Sequence, residues 1–195
     1  MKRIVPILML LCFVFVGVAW LFQTISATRA QEAGATAPVP APGSRAHHSV
    51  RQPAVAGSFY PKDAAELRAA IDGYLEAVTA RESKGPVIAA MCPHAGYEFS
   101  APVAAHAYAA IKGNTYDTVV VIGTSHRQRF SGAALPESDS WLTPLGAVPV
   151  ETELRDALVG EKGAFHADDG VHQEEHSLEV QLPFLQTVLS GFRLL

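Results

Sequence analysis

The chain has 195 residues, 49% of them hydrophobic and 17% charged, with 15 basic against 19 acidic side chains and a formal net charge of −4. That length suits one domain with a sizeable core, and nothing requires a second. No clustered Lys and Arg offer a phosphate-tracking surface, so nucleic acid is not an expected partner.

Lys2-Arg3 precede an apolar stretch from Ile4 to Phe22, broken only by Pro6 and Gly17. Residues 1–30 therefore read as an export or anchoring signal. A cleaved signal peptide carries about 7 to 15 apolar residues and a membrane span about 18 or more. This stretch is nearer the second, so the first expectation is an N-terminal membrane anchor, its positive end cytoplasmic and the domain outside. Thr28-Arg29-Ala30 has small residues at two cleavage positions, which leaves a cleaved, secreted or periplasmic product as the alternative. Residues 31–49, with Pro38, Pro40 and Pro42 among alanines, read as an extended linker, and residues 50–195 as the domain. Cys92 is the one thiol outside the signal, which excludes a disulfide within the domain.

Asp63 and Glu66 have capping-box spacing, and Leu67, Ala70, Ile71, Tyr74, Leu75 and Val78 follow a helical period, predicting a helix over 63–80. Val87 to Cys92 is a near-continuous apolar run, expected of a strand covered on both faces. Ser100 can cap a second helix that runs to Ile111, with Gly113 as its stop, and Thr118 to Ile122 is the next strand. Strand, helix and strand in this order predict a right-handed crossover between parallel strands.

Gly132–Leu135 and Ala147–Val150 read as short strands around a Pro-containing loop, Trp141 to Gly146, and Glu151–Val159 as a short helix. A last helix is expected from about Glu175, with Leu178, Leu182, Leu185 and Leu189 on one stripe and Pro183 as a kink or break. Gly191 can cap it, and Phe192 to Leu195 reads as the opening of a strand, so the chain looks cut short within its sheet. The expected fold is a single three-layer α/β domain with a central mixed, largely parallel sheet flanked by helices.

Ligands in such sheets bind beyond the carboxyl ends of the strands. His94, in Pro93-His94-Ala95-Gly96-Tyr97, and His126, in Gly123-Thr124-Ser125-His126, both lie there. If their strands are neighbours, about 4.8 Å apart, both imidazoles reach one ligand. His176, among Glu175, Ser177 and Glu179, suits a general base whose pKa is moved by carboxylates and burial. His126 and Tyr97 are further catalytic candidates. His172-Gln173-Glu174-Glu175-His176 also fits H-x-x-E-H, a zinc metalloprotease pattern that requires a helix through both histidines. Asp168-Asp169-Gly170 just before it argues for a loop. His106 and His166 read as packed or surface side chains, and His47-His48 as solvated.

Four ordered motifs then carry a resemblance: Arg51 to Pro61 (RQPAVAGSFYP), Pro93 to Tyr97, Gly123 to His126, and Glu175 to Phe184 (EHSLEVQLPF). Together they resemble the Memo family, whose bacterial members are called AmmeMemoRadiSam system protein B. The resemblance implies a fold like that of class III extradiol (LigB-like) dioxygenases, which bind non-haem iron with two histidines and a carboxylate. It further implies a pocket for a small molecule, with iron, copper or zinc as candidate cofactors. AMMECR-type and radical SAM system proteins are the partners it suggests.

In animal members the ligands are two histidines and a cysteine beside another histidine. By resemblance His94 matches the second ligand and His176 the adjacent histidine. Val55 stands where the first ligand would be, and the cysteine would lie beyond Leu195. His126 is the nearest substitute ligand. The chain therefore reads either as a metal-dependent oxidoreductase or as a non-catalytic binding or scaffold protein on the same fold.

Overall fold

The computed structural model describes residues 7–11, 49–79, 85–161 and 163–195. In chain order the strands are β1 (Ile7–Leu11), β2 (Val50–Arg51), β3 (Ala89–Met91), β4 (Thr118–Ile122), β5 (Ala133–Leu135), β6 (Ser140–Thr143), β7 (Gly146–Pro149), β8 (Phe165–Ala167) and β9 (Arg193–Leu194). The helices are α1 (Ala64–Glu76), α2 (Tyr97–Ile111), α3 (Thr152–Gly160), α4 (Asp169–His172) and α5 (Leu182–Val188). A four-stranded sheet runs β3-β1-β4-β9, with every pairing parallel. Beside it lie a β2-β6-β7 sheet, antiparallel only between β6 and β7, and a parallel β5-β8 pair. The fold is α/β, with mixed and mostly parallel sheets flanked by helices.

Capping and apolar spacing explain α1. Asp63 accepts from the N–H groups of Ala65 and Glu66 at 2.9 and 3.0 Å, which satisfies two donors that the first turn leaves open. Leu67, Ile71 and Leu75 are buried at four-residue spacing, each contributing about 1.5–3 kcal/mol of apolar transfer at most. Helices α1, α2 and α5 pack against one another, and their core side chains join Val119 and Val121 of β4 in one cluster. Tyr108 stacks on Phe184 with ring centroids 4.7 Å apart.

Several expectations change. Ile7–Leu11, read as part of a signal or anchor, forms β1 and pairs with both β3 and β4. Among the described residues no helix is long and apolar enough to cross a membrane, which overturns the anchored localisation. The cleavage site and the linker up to His48 lie outside the described residues. Among the described residues β3 lies at the edge of its sheet, and Met91 in it and Ile88 just before it are 67% and 71% exposed, so the apolar letters do not mean cover on both faces.

Helix α2 begins at Tyr97, a turn before Ser100, and Pro102 falls inside it. One tertiary and one local bond hold that extra turn: the Tyr97 N–H donates to Phe59 O at 2.7 Å, and Ser100 Oγ donates back to Ala95 O at 2.7 Å. Ser140–Thr143 is a strand where a loop was expected, because Trp141 is buried and pairs across to Val148. Glu175 to Leu178 is not helical. Arg51 takes the Glu175 carbonyl, the acceptor that a helix starting there would offer to the Glu179 N–H, and only a 3-10 turn over Glu179–Gln181 precedes α5 at Leu182. Pro183 then occupies the first turn, where its missing N–H matters least.

A buried ion pair joins β2 to this segment. Arg51 donates to Glu179, to His172 O at 3.0 Å and to Glu175 O at 2.7 Å, and its guanidinium lies 4.3 Å over the Trp141 ring. Glu179 also accepts from the N–H groups of Ala54 and Val55, at 2.8 and 3.0 Å, and from the Tyr60 hydroxyl. Burial, then the Glu179 charge, pushes the Tyr60 phenol well above its ordinary range, so it remains a donor. Desolvating two ions is offset only when their other hydrogen-bonding groups are also satisfied, as here.

Gly123 allows a second close approach. A Cβ there would lie 2.6 Å from Ser177 Oγ and 2.7 Å from Leu178 Cδ2, while Ser177 Oγ itself donates to Thr124 O at 2.8 Å. The turn after β4 and the loop before α5 are thus in direct contact.

Arg51→Met should cost about 3–5 kcal/mol in urea unfolding, since it strands a buried carboxylate. Asp156→Asn, which removes the exposed partner of Arg155, should cost less than about 1 kcal/mol. In the same assay Gly123→Ala should cost about 1–3 kcal/mol through overpacking. Gly73→Ala on α1, where a Cβ meets nothing within 4 Å, should instead stabilise by roughly 0.5–1 kcal/mol.

Candidate metal centre

His94 follows β3, His126 follows β4 and His176 lies in the loop between α4 and α5. Strand β1 separates β3 from β4, so the two histidine strands are not neighbours but roughly 9.6 Å apart. The loops close the gap. Ring centroids are 5.2 Å apart for His94 and His126, 5.9 Å for His94 and His176, and 4.5 Å for His126 and His176, the last pair stacked at 15°. One ligand atom from each imidazole lies within 4.8 Å of the others, so the three can hold a metal ion.

Local chemistry explains the convergence. Glu175, buried behind the rings, has Oε1 2.9 Å from His126 Nδ1, and its other oxygen accepts the His126 N–H. Oε1 also accepts the N–H groups of His176 and Ser177, at 2.8 and 2.9 Å, and lies 3.4 Å from His176 Nδ1. Burial would raise this carboxyl's pKa, but the bonds from His126, Ser177 and His176 outweigh it and bring the value down to about 2. Phe59 packs edge-on against His176 with centroids 4.7 Å apart.

Burial lowers the pKa of His94, and the neighbouring His126 and His176 lower it further. Burial also lowers that of His176, against the opposing charge of Glu175. Both shifts favour the neutral imidazole that a metal requires.

Of the sequence candidates, His94, His126 and His176 come together and Tyr97 does not. The Tyr97 side chain is buried in the core, and its hydroxyl donates to Val180 O at 2.8 Å. The H-x-x-E-H arrangement is absent, since α4 ends at His172, whose Nε2 is 3.2 Å from Ala134 O and whose ring packs against Trp141. Cys92 is buried outside the cluster, and burial pushes its thiol up to about 11. Val55 is packed in the core. Gly123 and Phe59 were visible only as letters within motifs. Nothing in their local pattern signals the contacts they make with Ser177 and His176.

A family model described as Memo-like protein matches residues 51–195. A MEMO1 family protein from Methanothermobacter thermautotrophicus is 43% identical over 156 residues, covering 74% of this chain and 55% of that protein. Another from Methanopyrus kandleri is 42% identical over 146 residues, covering 71% and 52%, and one from Thermococcus onnurineus 39% over 138 residues, covering 70% and 47%. The chain spans about half the length of the curated relatives it matches. The matched segment contains all three clustered histidines, and the chain belongs to the Memo-like protein family.

Proposed function

We propose that the protein binds one transition-metal ion, iron, copper or zinc, through His94, His126 and His176, and acts there on a small molecule. The observation that carries this reading is the approach of three imidazole donors to within 4.8 Å. In a tetrahedral site with bonds of about 2.0–2.1 Å the donors stand roughly 3.4 Å apart, a spacing that small ring rotations would reach. Imidazoles suit zinc, copper and iron alike. Glu175 is not a fourth donor, because its oxygens already accept from His126, His176 and Ser177.

A bound ion would supply a Lewis acid or a one-electron centre. The chain's own part is to hold neutral imidazoles in place, to wall one side with Phe59, and to leave access beside His126, whose side chain is 40% exposed. Family membership supports redox or dioxygenase-like chemistry at such a centre. A second reading, a non-catalytic binding or scaffold protein, is favoured by Val55, which is buried where the family resemblance places a ligand and gives its N–H to Glu179.

Purified protein titrated with Co(II) or Zn(II) should bind one equivalent. His94→Ala, His126→Ala and His176→Ala should each weaken binding by more than about a hundredfold, beyond the effect of losing an outer partner. His106→Ala, on the exposed side of α2, should change nothing. No metal bound by the wild type would end the metal reading. Oxygen uptake over a panel of catechol-type substrates separates the two functions: none with metal-loaded protein would leave only the binding role.

A further inference from the structure

Glu175 lies inside a motif that sequence reading assigned to His176, yet most of its bonds reach other residues. We infer that Glu175 is the positioning residue of the histidine centre, holding His126 as its Nδ1–H tautomer so that Nε2 faces the ion, and locking the His126 turn to the His176 loop. This inference rests on the metal reading above.

The geometry leaves little choice of roles. An ionised carboxylate only accepts hydrogen bonds. His126 Nδ1, 2.9 Å from Oε1, is therefore the donor, and only Nε2 remains for a ligand. The bonds to Glu175 from the N–H groups of His126, His176 and Ser177 fix the backbone on both sides of the cluster. At 4% exposure the carboxylate has almost no water to compete for it. Its neighbour Glu174 is exposed, so the pair of adjacent glutamates divides into one that orients and one that is solvated. A carboxylate behind a ligating imidazole raises the basicity of the far nitrogen, and losing such a partner typically weakens metal binding 10–100-fold.

The test uses the full chain labelled with ¹⁵N-histidine, metal-free, at a pH above the imidazole titrations. His126 is assigned from the signals missing in His126→Asn. Long-range ¹H–¹⁵N spectra should show His126 protonated at Nδ1 in the wild type. In Glu175→Gln the Nε2–H form should grow, and Co(II) affinity should fall about 10–100-fold, while Glu174→Gln should match the wild type in both. Wild-type His126 protonated at Nε2 would overturn the inference, as would a folded Glu175→Gln with unchanged Co(II) affinity. If Glu175→Gln does not fold, the wild-type tautomer decides. Absence of any Co(II) binding by the wild type would instead overturn the metal reading, a different result from binding that ignores Glu175.

Discussion

The buried contact between Arg51 and Glu179 is the constraint on which the rest of the molecule depends. A carboxylate with no solvent exposure is tolerable only with its charge opposed and its oxygens occupied, and Glu179 meets both conditions with Arg51, Ala54, Val55 and Tyr60. Arg51 in turn bonds the backbone oxygens of His172 and Glu175, so the pair fixes both ends of the loop that carries His176. The chain from Arg51 to Tyr60, which contributes Phe59 to the wall of the cluster, is set by the same contact. Two glutamates four residues apart thus serve one loop: Glu179 fastens it to the segment from Arg51 to Tyr60 and Glu175 to the turn after β4.

Much of this was legible in the residues. Strand β4 has the bounds its apolar run suggests, the Asp63 cap forms, and Gly191 adopts a positive φ of 70° ahead of β9. The placement of His94 and His126 at strand ends followed from α/β topology alone. What misled was whatever depended on long-range partners. An apolar run does not reveal whether a strand is central or at an edge, and among the described residues β3 lies at an edge. Lys2-Arg3 followed by apolar residues has the pattern of a signal, yet Ile7–Leu11 pairs in the sheet. The leucine stripe from Leu178 onward has helical spacing, but the distant Arg51 takes the Glu175 carbonyl and the α-helix starts only at Leu182, after a 3-10 turn. Tyr97 looked available from its place in a loop motif, and the core took it instead.

The centre itself was half visible. Three histidines at element ends are readable from the letters, and their convergence on one point is not. It depends on Gly123, which admits the Ser177 side chain, and on a buried carboxylate that reaches both loops. The strands bearing His94 and His126 need not be adjacent for this, because turns beyond strand ends can lean across an intervening strand.

The sequence separations in these contacts bear on how the protein is made. The Arg51–Glu179 contact spans 128 residues and the Glu175–His126 contact 49. Contacts this distant belong to slow folding, because loop-closure entropy is lost before the contacts form. During synthesis Arg51 emerges long before its counter-ion and stays hydrated until the segment that carries Glu179 is available. The histidine centre therefore waits on the segment from His172 to Glu179, and a chain in which that segment is not yet docked carries all three imidazoles without the arrangement that would let them act together.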